Sequence, residues 1–226
     1  MAQRMRLRNI PYIDQRRLHY GFLLGLDAVD LNIEHRGADV RTLNDGTEWY
    51  ASTPSVDVGF CVGLMGDLAL TEHLNVRCAP TLHFVSRSIA MRGMAYGEDG
   101  APTELERKQS LKSSYMEIPF TLKVATHRLN NYRPYMQLGT SLWVDWSHEE
   151  ETPLVFRRFD ASLIAAIGCD TYLPFFKFCP ELRFSYGLLD MVDHSRHGLK
   201  DPAMMQYTRS VRRATNKSVS LVFYFE

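Results

Sequence analysis

Apolar and polar residues alternate with a period of two along most of this chain. In residues 18–28, Leu18, Tyr20, Phe22, Leu24, Leu26 and Ala28 fall on one side, and His19, Gly21, Leu23, Gly25 and Asp27 on the other. Successive side chains of a β-strand point to opposite faces, so the pattern predicts an amphipathic strand; a helix would mix the two sets. The alternation returns in residues 57–70, 74–85, 115–125, 134–146, 160–172, 178–188 and 218–226, each time with one continuous apolar face. That makes about eight antiparallel strands of roughly 9 to 14 residues, enough for a tilted strand to cross a membrane. Between them, residues 29–55, 86–113, the stretch around His148 to Glu151, and 189 to about 216 are polar and rich in turn-formers, and are expected to be long loops. The connections at 71–73, 129–131 and Pro174 are short. Long and short connections therefore alternate, which gathers the long loops at one end and the short turns and both termini at the other, as in bacterial outer-membrane barrels.

Alternation alone does not say whether the apolar face meets lipid or fills a soluble core. The polar face decides for lipid. It carries Asp67, Arg77, His83, Glu117, Lys123, Glu181 and Arg183 among glycines, a poor solvent surface but a reasonable paired interior for a narrow barrel. Pairing like faces across the short turns sets Asp67 opposite Arg77, Cys61 opposite His83, and Gly168 opposite Glu181. Aromatic residues also gather toward strand ends on the apolar face: Tyr20, Phe22, Phe178, Phe223 and Phe225 at the short-turn end, Tyr186 and Trp146 at the other. Girdles of that kind belong at membrane interfaces. The expected fold is all-β, a closed antiparallel up-and-down transmembrane β-barrel over residues 18–226, in contact with outer-membrane lipids. So few strands leave no room for a wide aqueous pore.

Composition narrows the function classes. The 226 residues are 45% hydrophobic, and 26 Lys and Arg balance 26 Asp and Glu. A neutral chain without a basic stripe does not read as a nucleic-acid binder. Asp67, Asp145 and Asp170 interrupt the most apolar segments, so no run suits a spanning helix. The opening residues lack the apolar core and cleavage site of a signal peptide and read as a mature or trimmed N-terminus. Residues 1–17 form a basic arm, Arg4, Arg6, Arg8, Arg16 and Arg17 against Asp14, with Tyr12 between. It is expected to be extended, solvated and periplasmic, and these seven residues are its candidate partner-docking positions. Cys61, Cys78, Cys169 and Cys179 have no Cys-x-x-Cys spacing, so neither disulfides nor a zinc site are expected from that pattern.

The usual catalytic and phosphate-binding motifs are missing. The best polar cluster, Asp190, Asp193, His194, Ser195, His197 and Asp201, falls in a long loop without helical or strand spacing, as does His148 with Glu149, Glu150 and Glu151. Both read as solvated loops, and no catalytic group, cofactor or metal is assigned.

Several segments resemble a known family. Asn9-Ile10-Pro11-Tyr12-Ile13-Asp14, followed by Leu18-His19-Tyr20-Gly21-Phe22 and Gly25, resembles the start of mature PorT proteins of Bacteroidota. Glu117-Ile118-Pro119, Arg133-Pro134-Tyr135, Pro180-Glu181-Leu182-Arg183 and the terminal Phe225-Glu226 extend the likeness along the chain. One departure is that Glu226, not an aromatic, comes last, so the aromatic insertion signal rests on Phe225 and Phe223. The resemblance implies a non-enzymatic outer-membrane barrel of the type IX secretion system, linked to gliding in some bacteria, with other secretion proteins of the outer membrane or periplasm as partners. Three readings stay open beside it: a general surface barrel for adhesion or envelope integrity, a barrel enzyme acting on lipids through Ser195 and His197, and a soluble lipocalin-like carrier.

Overall fold

The computed structural model describes residues 8–35, 48–52, 57–96, 102–145, 159–189 and 211–226. Ten strands lie among them: β1 (Leu18–His35), β2 (Glu48–Ser52), β3 (Asp57–Ala69), β4 (Leu74–Cys78), β5 (Thr81–Tyr96), β6 (Pro102–Ala125), β7 (Tyr132–Asp145), β8 (Phe159–Tyr172), β9 (Lys177–Gly187) and β10 (Val211–Phe225). All pairings are antiparallel, and β1 bonds both β10 and β3, which closes the sheet into a ring. β4 and β5 keep one register against β3 and one against β6, so together they make a single stave, interrupted where Pro80 has no N–H to give. The Pro80 carbonyl still accepts from the Leu64 N–H at 3.0 Å. The ring therefore has eight staves: β1, β3, β4 with β5, β6, β7, β8, β9 and β10.

The pleat sorts the side chains as the alternation requires. Leu24, Leu26, Phe60, Leu64, Leu122, Leu138, Leu142, Ile167 and Leu221 all face outward and stay exposed, while their neighbours in sequence turn into the ring. Inward positions alternate long side chains with small ones. Gly168 shows why: a Cβ there would sit 2.4 Å from Cζ of Tyr135, whose ring crosses that space to reach Glu181.

The long connections differ from expectation. Residues 86–113 contain paired strand, β5 running on to Tyr96 and β6 starting at Pro102, with β2 bonded along β5 from Ser52↔Ala90 to Glu48↔Met94. β1 likewise continues to His35, and β10 begins at Val211. Beyond the lipid-covered wall a strand needs no continuous apolar face, so alternation fades in the sequence while backbone pairing with the neighbouring strand carries on. The result is a three-stranded blade, β2–β5–β6, rising at the long-connection end.

The exposed apolar wall suits hydrocarbon and not water. Leu138, in the middle of β7 and 65% exposed, sits where an arginine would be driven into acyl chains. Leu138→Arg is expected to lower the unfolding free energy in lipid vesicles by about 2–4 kcal/mol. Urea titration would read this; an unchanged midpoint would mean that this face meets water.

Candidate functional site

The lumen is filled by one chain of charged side chains that alternate in sign from the short-turn end upward. His19 Nδ1 lies 2.5 Å from Glu226, and the other Glu226 oxygen lies 2.6 Å from Lys177 Nζ. Lys177 is 3.7 Å from Asp170, which takes two hydrogen bonds from Lys123 at 2.8 and 2.9 Å. Lys123 is 3.9 Å from Asp67, and Asp67 Oδ2 accepts from Nε and Nη2 of Arg77 at 2.9 and 2.8 Å. Arg77 reaches Glu181 at 3.4 Å, Glu181 meets Arg183 at 3.3 Å, and Arg183 meets Glu117 at 3.5 Å. Glu117 and Asp27 then hold the two ring nitrogens of His83, at 3.1 and 2.7 Å.

Uncharged groups complete the filling. Glu181 also accepts from Gln137 Nε2 at 2.5 Å and from the Tyr135 hydroxyl at 2.9 Å; Arg183 donates to the Tyr224 hydroxyl oxygen. The Arg77 guanidinium lies 4.7 Å from the centre of the Tyr224 ring, and Lys123 Nζ 4.0 Å from that of Tyr135. Each ring thus presents its negative face to a cation that has left water. At the end of the ionic chain, Tyr115 and Trp143 stack on the His83 ring at 4.9 and 5.3 Å and meet each other at a tilt, 4.7 Å apart. Trp143 Nε1–H donates to both Ser141 and Ser162. All twelve ionic side chains are at most 7% exposed, and eleven contacts of 3.9 Å or less link them without a gap. This is a plug built from the wall itself.

Residues 8–17 lie against the short-turn end. They are largely exposed, as a solvated lead-in would be, but they are not extended: Ile13–Gln15 is a 3-10 turn, and Asn9 and Asp14 tie the segment to the barrel. Asn9 N–H donates to Asn131 Oδ1 and its amide to the Tyr172 carbonyl, both at 2.9 Å. Arg128 donates to the carbonyls of Asn9 and Ile10, and its guanidinium lies 3.6 Å from the centre of the Tyr172 ring. Asp14 accepts from the Tyr172 hydroxyl at 2.6 Å and lies 3.4 Å from Arg128 and 3.7 Å from Arg133. Ile10 sits at φ 44°, a left-handed backbone costly for a β-branched residue, and the bonds from Arg128 on either side of it hold it there.

The lumen brings together all seven of the charged positions picked out from the sequence, Asp67, Arg77, His83, Glu117, Lys123, Glu181 and Arg183. Asp67↔Arg77, Cys61↔His83 and Gly168↔Glu181 are register partners. Five further members went unassigned. His19, Asp27 and Asp170 stand on the polar phase of their strands, a signal already present in the alternation, while Lys177 and Glu226 cap strand ends where it is weakest.

On the outer face Phe22 stacks on Phe225 at 4.9 Å and Phe178 on Phe223 at 5.8 Å; Tyr20 and Tyr186 are exposed nearby and at the far end respectively. Phe175, Phe176 and Tyr132 add to the short-turn girdle, missed because they lie in or beside turns. Within the arm, Arg8, Tyr12, Asp14, Arg16 and Arg17 are all exposed, and the Asp14 carboxylate also latches the arm to the barrel through Tyr172. Trp146, Arg4, Arg6, the Asp190 to Asp201 cluster and His148 to Glu151 lie outside the described residues.

A closed ring with an apolar exterior and a paired ionic lumen defines a small transmembrane β-barrel. The chain belongs to the outer membrane protein β-barrel domain family, whose profile it matches over residues 1–193, and its place is the outer membrane of a Gram-negative bacterium. β10, beyond that span, supplies the closing stave. A comparison with curated proteins finds no match.

Removing one member of a buried pair strands its partner. Lys123→Met is expected to cost roughly 3–5 kcal/mol, and adding Asp170→Leu to recover most of that loss, because Lys177 keeps Glu226 and Asp67 keeps Arg77. Equilibrium unfolding of the single and double variants in vesicles measures both. Equal stabilities for the two variants would show that the pairing carries little energy.

Proposed function

We propose that this barrel is a non-enzymatic component of the type IX secretion system, with an accessory or assembly role in exporting cargo that bears C-terminal sorting domains. The supporting observation is where the residues of the PorT resemblance fall. Asn9 and Asp14 build the latch under the ring, His19 and Glu226 the first links of the lumen chain, and Glu117, Glu181 and Arg183 its upper half. The likeness thus takes in residues that seal the barrel, along with outward ones such as Tyr20 and Phe22. A sealed barrel acts through its surfaces, so the reading assigns contact with other secretion proteins to the short-turn end, facing the periplasm, where Tyr12 is 72% exposed beside Arg16 and Arg17. Outer-membrane lipids cover the apolar wall.

A second reading, a surface barrel for adhesion or envelope integrity, draws on the β2–β5–β6 blade at the opposite end. One strain set separates the two. Deleting the gene is expected to abolish export of sorting-domain cargo, and the intact gene to restore it. A Tyr12→Ala, Arg16→Ala, Arg17→Ala variant, with the latch residues kept, is expected to insert normally yet restore export several-fold less well. Undiminished export in the deletion strain removes the secretion role; full restoration by the triple variant removes the docking surface.

A further inference from the structure

One group in the upper lumen contains donors that the ionic chain does not use up. Asp27 of β1, Cys61 of β3 and His83 of β5 each point a ligand atom into the same space, all within 4.8 Å of one another, and all three side chains are buried. The strand register builds this group: Cys61 pairs with His83, and Gly25 pairs with Cys61 one inward step below Asp27. Gly25 makes the room, since a Cβ there would lie 2.7 Å from the Cys61 sulfur. Asp27 Oδ1 and Glu117 Oε1 are buried without a close, well-aligned hydrogen-bond partner, although the other oxygen of each carboxylate binds His83, and the side chains of Ser220 and Cys61 bear on Asp27 and that of Ser141 on Glu117. A buried carboxylate oxygen without a well-aligned donor is costly, and here two flank the same imidazole.

We propose that Asp27, Cys61 and His83 form a binding site for one divalent transition-metal ion of the zinc class. One sulfur, one imidazole nitrogen and one carboxylate suit a borderline-soft ion that accepts tetrahedral coordination, and the single thiolate disfavours magnesium and calcium, which take oxygen. The free Asp27 oxygen or a water supplies the fourth position. Glu117 completes the arrangement from behind: it holds Nε2–H of His83 and leaves Nδ1 to the ion, the pattern that fixes the tautomer and aim of a ligating histidine.

Charge also balances. Both nitrogens of His83 face carboxylate oxygens that only accept, so the ring carries two N–H protons and a positive charge. An entering M²⁺ displaces the Nδ1 proton and the Cys61 thiol proton. Two positive charges arrive and two leave, and Arg183, 3.5 Å from Glu117, keeps its partner. Tyr115 and Trp143 pack against the His83 ring and bury it, so loading is expected as the barrel folds.

The inference is independent of the secretion role, and its test uses the full chain. The protein is refolded into detergent with cobalt(II) in excess, freed of unbound ion by gel filtration, and assayed for cobalt content and visible absorption. One cobalt per chain with a thiolate-to-metal charge-transfer band is expected. Cys61→Ser should lose the band and the ion, Asp27→Asn should weaken retention, Glu117→Gln should weaken affinity about 10- to 100-fold, and Cys78→Ser, on the outer wall, should change nothing. Heat-modifiable gel migration reports folding for each variant, and Asp27→Asn, which keeps the side-chain shape, decides the matter if Cys61→Ser does not fold. A folded wild-type barrel that retains no cobalt, or folded Cys61→Ser and Asp27→Asn variants that retain as much as wild type, overturns the proposal.

Discussion

Hydrocarbon on the outside and a lumen too narrow for bulk water oblige the ionic side chains of this barrel to find their partners inside it, chiefly in side chains of opposite sign. The lumen chain sets six carboxylates, Asp27, Asp67, Glu117, Asp170, Glu181 and Glu226, against four permanent cations, Arg77, Lys123, Lys177 and Arg183, with His19 beside Glu226 and His83 between Glu117 and Asp27. Many of these contacts join staves that are not neighbours. Lys123 and Asp170 belong to β6 and β8, Arg183 and Glu117 to β9 and β6, and Arg77 and Glu181 to β4 and β9, which stand across the ring from one another. The ladder hydrogen bonds close the wall, and the ionic chain braces it from inside.

That bracing limits what the barrel can do. Opening a path along the axis would break several linked contacts at once and strand charges in a low-dielectric interior, so a gated pore is an unfavourable use of this architecture. The ends are where variation is cheap. At one, the blade of β2, β5 and β6 stands clear of the lipid-covered wall. At the other, the latch at Asn9 and Asp14 fixes the arm against Arg128 and Tyr172 while leaving Tyr12 outward.

The fold was legible because a membrane barrel obliges each stave to alternate strictly while it is in lipid. Leu18 to Ala28 declares its faces without help from any other segment, and pairing like faces was enough to set Asp67 against Arg77 and Gly168 against Glu181. Legibility stopped where lipid stopped. The continuation of β5 to Tyr96 has no clean alternation to show, since what holds it is backbone pairing that any sequence can make. The latch was hidden for another reason: Arg128 and Asp14 are 114 residues apart, and nothing local in either says that the chain returns under the ring. Asp27, Cys61 and His83 were each visible on the polar phase, but their convergence depends on curvature across three staves, which a period-two pattern does not encode.

Why this lumen is ionic at all follows from the cost of misregister. An apolar filling of the same volume could match a buried salt-bridge network in stability. Strands apolar on both faces, however, would lose little by sliding one residue, since either face would suit lipid. Here a one-residue slip of β4 and β6 would turn Arg77 and Lys123 into hydrocarbon, at about 2–4 kcal/mol each near the midplane, and would break every contact those residues make. The same side chains that are expensive to bury thus become more expensive to misplace. Because Arg77 answers to β9 as well as to β3, the penalty for a slip in one stave is felt across the ring, which ties the register of all the staves to a single arrangement.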